Sequence, residues 1–166
     1  MSLSTEVYVS IGSNVGDRLL NLKSAGSALK NISKSVEFSD VYISTARGFI
    51  TQPEFFNAAC KLTTILSPWN FLDQIRTIEK NHGRYRIFPN APRSIDIDLI
   101  LWGGFSVKTS VLEIPHPRFR ERAFVLLPLM DLNPFAVDPI TKNRIRDFLG
   151  EIGDGNRTES IGQFPL

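Results

Sequence analysis

The hydrophobic pattern of this chain switches between a period of two and a helical period, and this switch limits the folds that it can adopt. Strict alternation over residues 56–63 predicts a strand with one buried face. Ser67 and Pro68 then start an apolar stripe that ends near Gly83, which is typical of an amphipathic helix. The chain therefore combines strands and helices in one α+β arrangement.

The other segments extend this succession of elements along the chain. Further strands are predicted at residues 7–11, 35–43 and 95–102, helices after Asp17 and at 120–132, and loops at 44–53 and 83–92. Pro128 marks a kink or a break in the last helix. The order of the main elements is β-α-β-β-α-β with C-terminal additions, which predicts a ferredoxin-like α+β sandwich.

Length and composition predict one cytoplasmic domain over residues 1–166, with a polar, Gly-rich tail from about Gly150 that is expected to be loosely ordered. No apolar run approaches the ~20 residues that span a bilayer, which argues against a membrane role. Cys60, the single cysteine, lies in an alternating apolar run and is predicted to be a core residue in a reducing cytosol. A net charge of only +2 argues against a general polyanion binder.

The most informative motif is Asp96-Ile97-Asp98. Two carboxylates at positions i and i+2 of a strand share one face about 7 Å apart at the backbone, so their tips can converge on metal ions. The same alternation places Leu101 on the opposite face and Trp102 on the face of the aspartates. The alternative is a solvated pair on the outer face of an edge strand. Because residues 99–102 are almost wholly apolar, an uncompensated acidic pair would be costly there, which favours a metal site and, from oxygen ligation, Mg²⁺.

Basic residues lie on both sides of the acidic pair along the chain. Mg²⁺ held by two carboxylates keeps positions that phosphate oxygens fill, and a guanidinium fork binds such oxygens bidentately. The candidates are Arg84 and Arg86 in the preceding loop, Arg93 three residues before Asp96, and Arg122 after it. For each arginine the alternative is an exposed surface charge or a partner for the C-terminus of a helix.

Two further features have competing interpretations. His116 lies between Pro115 and Pro117, so it is either a packing or capping residue or a fixed hydrogen-bond donor to a phosphate. Gly12-Ser13-Asn14 resembles a phosphate-binding turn, but no Gly-Lys-Ser/Thr ending follows it. A plain turn into the next helix is therefore the favoured interpretation of that tripeptide.

Together these motifs resemble those of the hydroxymethyl-dihydropterin pyrophosphokinases of folate synthesis. In chain order, the matching blocks are Gly12-Ser13-Asn14, Gln52-Pro53-Glu54-Phe55-Phe56-Asn57-Ala58-Ala59, Glu79 with Gly83-Arg84-Tyr85-Arg86, Pro92-Arg93-Ser94-Ile95-Asp96-Ile97-Asp98-Leu99, and Pro115-His116 with Arg122 and Phe124. The resemblance runs from about Val7 to Pro134. The Pro-Arg-x-x-Asp-x-Asp block is its most specific part.

The resemblance implies transfer of pyrophosphate from the co-substrate ATP to 6-hydroxymethyl-7,8-dihydropterin, with release of AMP, in a monomer that binds neither nucleic acid nor membrane. It also implies two Mg²⁺ ions held by Asp96 and Asp98. The remaining roles that it implies are catalytic loop arginines at Arg84 and Arg93, nucleotide contacts at Glu79, Arg86, His116 and Arg122, and pterin contacts at Ser44, Phe55, Asn57 and Phe124.

This chain departs from the family pattern at three places. Phe88-Pro89-Asn90-Ala91 stands where many members carry Arg-Trp-Gly, so an arginine and a tryptophan are missing from the basic loop. Thr45-Ala46-Arg47-Gly48 replaces a Pro-containing stretch of the pterin loop, and Phe55 replaces a frequent tyrosine. The resemblance therefore predicts an enzyme whose basic loop closes more weakly on ATP than that of its relatives.

Three other functions compete with this one. An RNA-binding RRM module shares the element order, but its central strand carries a basic-aromatic consensus where this chain has Asp-Ile-Asp. A non-catalytic relative would bind pterin or nucleotide without forming AMP. A different magnesium-dependent phosphotransferase would release ADP.

Overall fold

An antiparallel sheet is the frame of the chain in the computed structural model, which describes residues 3–45, 51–83, 91–153 and 157–166. The strands are β1 (Thr5–Ser13), β2 (Ser35–Phe38), β3 (Val41–Ser44), β4 (Phe55–Thr64), β5 (Asp96–Trp102), β6 (Val107–Lys108), β7 (Glu113–Ile114) and β8 (Thr158–Gly162). The helices are α1 (Arg18–Asn31), α2 (Pro68–Asn81), α3 (Ala123–Leu132) and α4 (Ile145–Leu149), with a 3₁₀ turn at Phe119–Glu121.

The strands of the main sheet lie in the order β5-β1-β4-β3-β8, and β2 pairs with the same strand, β4, as β3 does. Every pairing in this sheet is antiparallel. The helices α1 and α2 pack on one face, and α3 and α4 pack on the other. This arrangement confirms the ferredoxin-like α+β fold, and β6 and β7 form a separate small hairpin.

Both long helices begin where the sequence predicts. The side chain of Asp17 accepts a hydrogen bond from the Leu20 N–H at the start of α1, and Ser67 caps α2 in the same way ahead of Pro68. Gly26 lies where α1 packs against two stacked rings. An added Cβ would be 2.9 Å from Cζ of Phe164, so a larger residue would displace that ring. No helix in the described ranges is long and apolar enough to cross a membrane.

The structure corrects the strand predicted over residues 35–43, which is divided into β2 and β3. The break lies at Ser39 and Asp40, and the Ser39 hydroxyl accepts a hydrogen bond from the Ala59 N–H at 2.8 Å. A side chain thus takes part in the bonding with β4 at the break. Both strands still pair with β4, so the topology is unchanged.

The face assignment at the end of β5 is also corrected. A register shift where β5 pairs with Tyr8 and Val9 breaks the alternation. Leu101 consequently packs with Ile100 on the side of α3, whereas Trp102 joins the core beneath α1 and α2. The alternation predicted the wrong faces for Leu101 and Trp102. A bulge inserts an extra residue into the strand, and the sequence pattern does not indicate it.

The C-terminal residues differ from the loosely ordered tail that composition predicts. Residues of β8 pair with β3, and the ring of Phe164 stacks on Phe38 with centroids 4.2 Å apart. The predicted last helix is likewise divided into the 3₁₀ turn and α3, and Pro128 lies inside α3. Cys60 is a core residue as predicted, and burial raises the pKa of its thiol.

Candidate active site

The candidate site lies on the sheet face opposite α1 and α2, at the end where β1, β4 and β5 carry polar groups. Gly12 of β1 pairs with Asp96 on one side and with Asn57 on the other. Ser44, at the end of β3, pairs with Phe55 at the start of β4. The antiparallel register therefore brings the acidic pair and the candidate pterin residues into adjacent rows of one face.

Gly12 is required by the approach of a neighbouring side chain. An added Cβ would lie 3.1 Å from Oδ1 of Asn57 and 3.6 Å from the ring of Phe55. The absent side chain lets the Asn57 amide lie against β1. Sequence analysis interpreted this glycine only as part of a turn, and its position inside β1 shows that the turn begins later.

Both aspartates of the acidic pair are partly buried beside arginine side chains. Nη2 of Arg93 lies 2.8 Å from Oδ2 of Asp96, and Nη1 of Arg122 lies 3.3 Å from Oδ2 of Asp98. The side chains of Asp96 and Asp98 are 18% and 31% exposed, so they are not the fully solvated pair of the alternative interpretation. β5 is nevertheless an edge strand, as that alternative assumed.

His116 faces the same carboxylate as Arg122. Its Nε2 lies 3.7 Å from Oδ2 of Asp98, while Nδ1 accepts a hydrogen bond from the Arg118 N–H at 3.1 Å. Because a backbone N–H can only donate, Nδ1 is unprotonated and the proton of the neutral ring is on Nε2. Burial lowers the pKa of His116, against the opposing effect of Asp98. The neutral ring therefore presents an N–H towards the acidic pair.

Glu79 supports the strand that carries the acidic pair. This residue of α2 is buried, and its Oε1 accepts a hydrogen bond from the Ile97 N–H at 2.8 Å. Ile97 lies between the two aspartates on the edge strand β5. Glu79 therefore binds the backbone at the outer edge of β5. The sequence predicts a nucleotide contact for Glu79 and does not predict this bond.

The candidate pterin residues lie beside the arginines of the acidic pair. Asn57 is 3% exposed, and its Nδ2 donates to the Ser44 hydroxyl at 2.8 Å. The guanidinium carbon of Arg93 lies 5.1 Å from the ring centre of Phe55, and that of Arg122 lies 5.7 Å from the ring centre of Phe124. Each aromatic ring thus adjoins an arginine that also contacts one aspartate.

Asn14 is a part of the site that sequence analysis missed. It is 1% exposed, and its side chain contacts both the segment before β4 and the segment before β5. The tripeptide was interpreted as a plain turn because no Gly-Lys-Ser/Thr ending follows it. The signal that could have revealed Asn14 is its place in the matching family blocks, which also contain Gln52 and Arg93.

Several predicted residues lie outside the described residues. They are Arg84, Arg86 and the Phe88-Pro89-Asn90 departure of the basic loop, and the Ala46-Arg47-Gly48 part of the pterin loop. At the described base of the basic loop, the Ser94 hydroxyl donates to the His82 carbonyl at 2.5 Å.

The donor set suits a metal that is also bound by substrate oxygens. Among the described residues, no group of three or more His, Cys, Asp or Glu side chains comes together to hold a metal. Asp96 and Asp98 alone supply carboxylate oxygens on one strand face. Mg²⁺ is commonly held by one or two carboxylates with water and phosphate completing its coordination, so these residues fit that ion.

The candidate site lies within the part of the chain that matches a known protein family. The family model for 7,8-dihydro-6-hydroxymethylpterin-pyrophosphokinase matches residues 8–134, which include the acidic pair, its arginines and the candidate pterin residues described above. The chain belongs to this family.

Two curated relatives differ in how much of their length this chain represents. The chain is 42% identical over 143 residues to the folic acid synthesis protein FOL1 of Dictyostelium discoideum, covering 84% of this chain and 22% of that protein. It is 37% identical over 145 residues to the 2-amino-4-hydroxy-6-hydroxymethyldihydropteridine pyrophosphokinase of Aquifex aeolicus, covering 87% of this chain and 91% of that protein. The chain thus spans less than a third of several longer pyrophosphokinase-family relatives.

A solved structure of the family has the same fold. Plasmodium falciparum HPPK-DHPS, solved with pterin and p-hydroxybenzoate, superposes with a TM-score of 0.72 over 95% of this chain and 47% of that one. Sequence identity in this superposition is 14%. The similarity therefore supports the pyrophosphokinase fold assignment alone.

Proposed function

We propose that this chain transfers pyrophosphate from ATP to 6-hydroxymethyl-7,8-dihydropterin in a Mg²⁺-dependent reaction of folate synthesis that releases AMP. The observation that carries the proposal is the adjacency of two arginine-paired aspartates and a buried asparagine across Gly12. The family membership and the Aquifex relative of similar length support the same activity. We also propose that the protein acts in the cytoplasm.

The pterin binds at the Asn57 end of the site. A flat heterocycle with amide-like edges suits a buried amide beside two aromatic rings, because stacking and edge hydrogen bonds then act together. Asn57 and Ser44 supply polar groups at that edge, and Phe55 and Phe124 supply the stacking faces. The hydroxymethyl group of the pterin then points towards the acidic pair.

The triphosphate binds at the Asp96 end. Asp96 and Asp98 would hold Mg²⁺, and the ion would neutralise charge on the phosphate oxygens. The pterin hydroxymethyl oxygen attacks the β-phosphorus and loses its proton to water, the bond from that phosphorus to the oxygen that bridges it to the α-phosphate breaks, and AMP leaves with that oxygen. Arg93, Arg122 and the Nε2–H of His116 donate to the phosphate oxygens.

We infer from two ion pairs that the arginines change partners during the proposed reaction. Arg93 and Arg122 contact carboxylate oxygens that a metal would also use. Each guanidinium therefore turns from its aspartate towards the phosphates when metal and ATP bind. The short distance from Arg93 to Phe55 means that this movement takes place beside the pterin ring.

Incubation with ATP, Mg²⁺ and 6-hydroxymethyl-7,8-dihydropterin, followed by identification of the nucleotide product, tests the proposal. We expect AMP and the pterin diphosphate in equal amounts. Asp73→Asn should form AMP at the wild-type rate, because Asp73 is an exposed carboxylate that pairs with Arg76 on the surface of α2. ADP as the product, or binding of both substrates without turnover, would instead favour another phosphotransferase or a non-catalytic relative.

A further inference from the structure

Asn14 joins two chain segments that belong to different halves of the site. It directly follows β1, and its hydrogen-bond partners lie 38 to 79 residues further along the chain. One partner segment, residues 52–53, leads into Phe55 and the candidate pterin residues. The other, residues 91–93, carries Arg93 and leads into the acidic pair.

The acceptor side of Asn14 holds the arginine segment. Its Oδ1 accepts from the Arg93 N–H at 2.9 Å, and its own backbone N–H donates to the Arg93 carbonyl at 3.1 Å. Both polar groups of the Arg93 backbone are therefore bound to one residue. The Arg93 side chain can therefore pair with Asp96 or with another anion while its backbone position stays fixed.

The donor side of Asn14 holds the pterin segment. Its Nδ2 donates to Oε1 of Gln52 at 3.0 Å and to the Pro53 carbonyl at 3.3 Å. With 1% of the residue exposed, the side-chain oxygen and nitrogen both act within the protein. Only a primary amide of this length supplies an acceptor for one segment and two donors for the other.

We propose that Asn14 is a positioning residue that couples the two substrate subsites by fixing the pterin segment relative to the Arg93 segment. The inference rests on the proposed function for the identity of the two substrates. Arg93 lies 5.1 Å from the ring of Phe55, so a shift of either segment changes both the stacking face and the phosphate donor. Binding at one subsite then orders the hydrogen bonds between Asn14 and the two segments, and the other subsite depends on the same bonds.

Arg18 provides a control, because its contacts with the described residues include the pterin segment and not Arg93. Its Nη1 donates to the Glu54 carbonyl at 2.7 Å, and its guanidinium carbon lies 3.8 Å from the ring centre of Phe56. It therefore anchors the same segment as Asn14, but none of these contacts reaches Arg93. Arg18→Ala loosens the pterin segment and keeps the Asn14 bonds to Arg93.

The test compares Asn14→Asp with Arg18→Ala by calorimetric titration of the pterin, with and without Mg²⁺ and α,β-methylene-ATP. The aspartate keeps the acceptor for Arg93 but places a carboxylate oxygen against the Pro53 carbonyl. We expect the nucleotide analogue to tighten pterin binding at least fivefold in the wild type and less than twofold in Asn14→Asp. Arg18→Ala should weaken pterin binding with and without analogue by the same factor.

Three results would each overturn the inference. They are a wild type without coupling, an Asn14→Asp variant with wild-type coupling, and an equal loss of coupling in Arg18→Ala. Asn14→Ser, which is smaller and uncharged, takes the place of Asn14→Asp if thermal unfolding shows that the latter does not fold. Because coupling is measured by binding, it is independent of turnover. Absence of AMP formation in the wild type would contradict the proposed function without deciding the role of Asn14.

Discussion

At the scale of single residues, the site is organised by two aspartates that each have an arginine partner. Arg93 and Arg122 compensate carboxylates that would otherwise be costly to bury partly. The same pairs keep the guanidinium groups close to where phosphates are proposed to bind. Charge compensation in the folded protein therefore uses the same four side chains that we propose act in catalysis.

Asp98→Asn should reduce turnover at least a hundredfold, because an amide holds Mg²⁺ weakly and leaves phosphate charge uncompensated. The fold should persist, since the side chain is partly exposed and the amide can still accept from Arg122. Steady-state AMP production at saturating Mg²⁺ and circular dichroism measure the two effects, with Asp73→Asn as the control. Near-normal turnover of Asp98→Asn would contradict the metal assignment.

Arg93→Lys should lower kcat at least tenfold with a smaller change in KM for ATP. Arg93 reaches Asp96 with Nη2 and the Ala91 carbonyl with Nη1, and a single ammonium group cannot reproduce that fork. A group that binds charge developing in the transition state affects kcat more than KM. If KM rises while kcat stays constant, Arg93 contributes only to ground-state binding.

The residue types of the site could be predicted from sequence, but their partners could not. Alternation was sufficient to place Asp96 and Asp98 on one face, because a strand has a fixed period of two. Asn14 and Glu79 act through backbone groups of Arg93 and Ile97, and such contacts depend on tertiary distances that no local pattern encodes. The catalytic, metal and substrate roles predicted for the site residues, those of Arg84 and Arg86 included, stay predictions.

At the scale of elements, sequence patterns located the strands and helices better than their irregularities. Caps at Asp17 and Ser67 mark helix starts by local hydrogen bonds, so they are visible in the sequence. The break at Ser39 and the bulge near Ile100 depend on pairing with β4 and β1. The strand β8 likewise forms because a neighbour, β3, is available, and its own composition is polar.

A buried ion pair connects the 3₁₀ turn before α3 to the loop before α4. Nε of Arg120 lies 2.7 Å from Oδ2 of Asp138, and Asp138 is fully buried. Burial alone would raise the pKa of Asp138, but hydrogen bonds from Arg120, the Ile140 N–H and Thr141 outweigh it and lower that pKa. The carboxylate form is therefore the one that stabilises the fold.

Asp138→Asn should reduce the free energy of unfolding by roughly 2–3 kcal/mol at pH 7, because Arg120 loses its charged partner. A lowered pKa stabilises the fold above the unfolded value of about 3.9, and the effect disappears as pH falls through the folded value. The difference between wild type and variant should thus shrink below about pH 4. Urea unfolding from pH 7 to pH 3 measures it, and a constant difference would contradict the assignment.

At the scale of the whole molecule, the active face exists because β1 lies between β4 and β5. Residues 10–12 are central, so this strand brings groups from the two ends of the site together. The helices α3 and α4 pack against a different part of the same face, with Phe124 near the start of α3. A ferredoxin-like sheet thus supplies both a core and an adjoining polar face.

Gly12→Ala tests this arrangement, since it adds one methyl group at the centre of the face. The new Cβ would lie 3.1 Å from Oδ1 of Asn57, so the amide has to shift by a few tenths of an ångström. Such a shift disturbs the Asn57 bond to Ser44 and the edge proposed to bind the pterin. Alanine replaces glycine in extended backbone without φ strain, so the cost to folding should be below about 1 kcal/mol.

We therefore expect Gly12→Ala to weaken pterin binding at least tenfold while the affinity for Mg²⁺ and ATP, proposed to depend on Asp96 and Asp98, changes less than threefold. Calorimetric titration of each substrate separates the two effects, and thermal unfolding reports the fold. Gly104→Ala is the matched control, because an added Cβ there meets nothing within 4 Å. Equal weakening of pterin and nucleotide would mean that the methyl group deforms the sheet as a whole. Unchanged pterin affinity would mean that Asn57 does not bind the pterin from its observed position, and the proposed orientation of the substrate across β1 would be wrong.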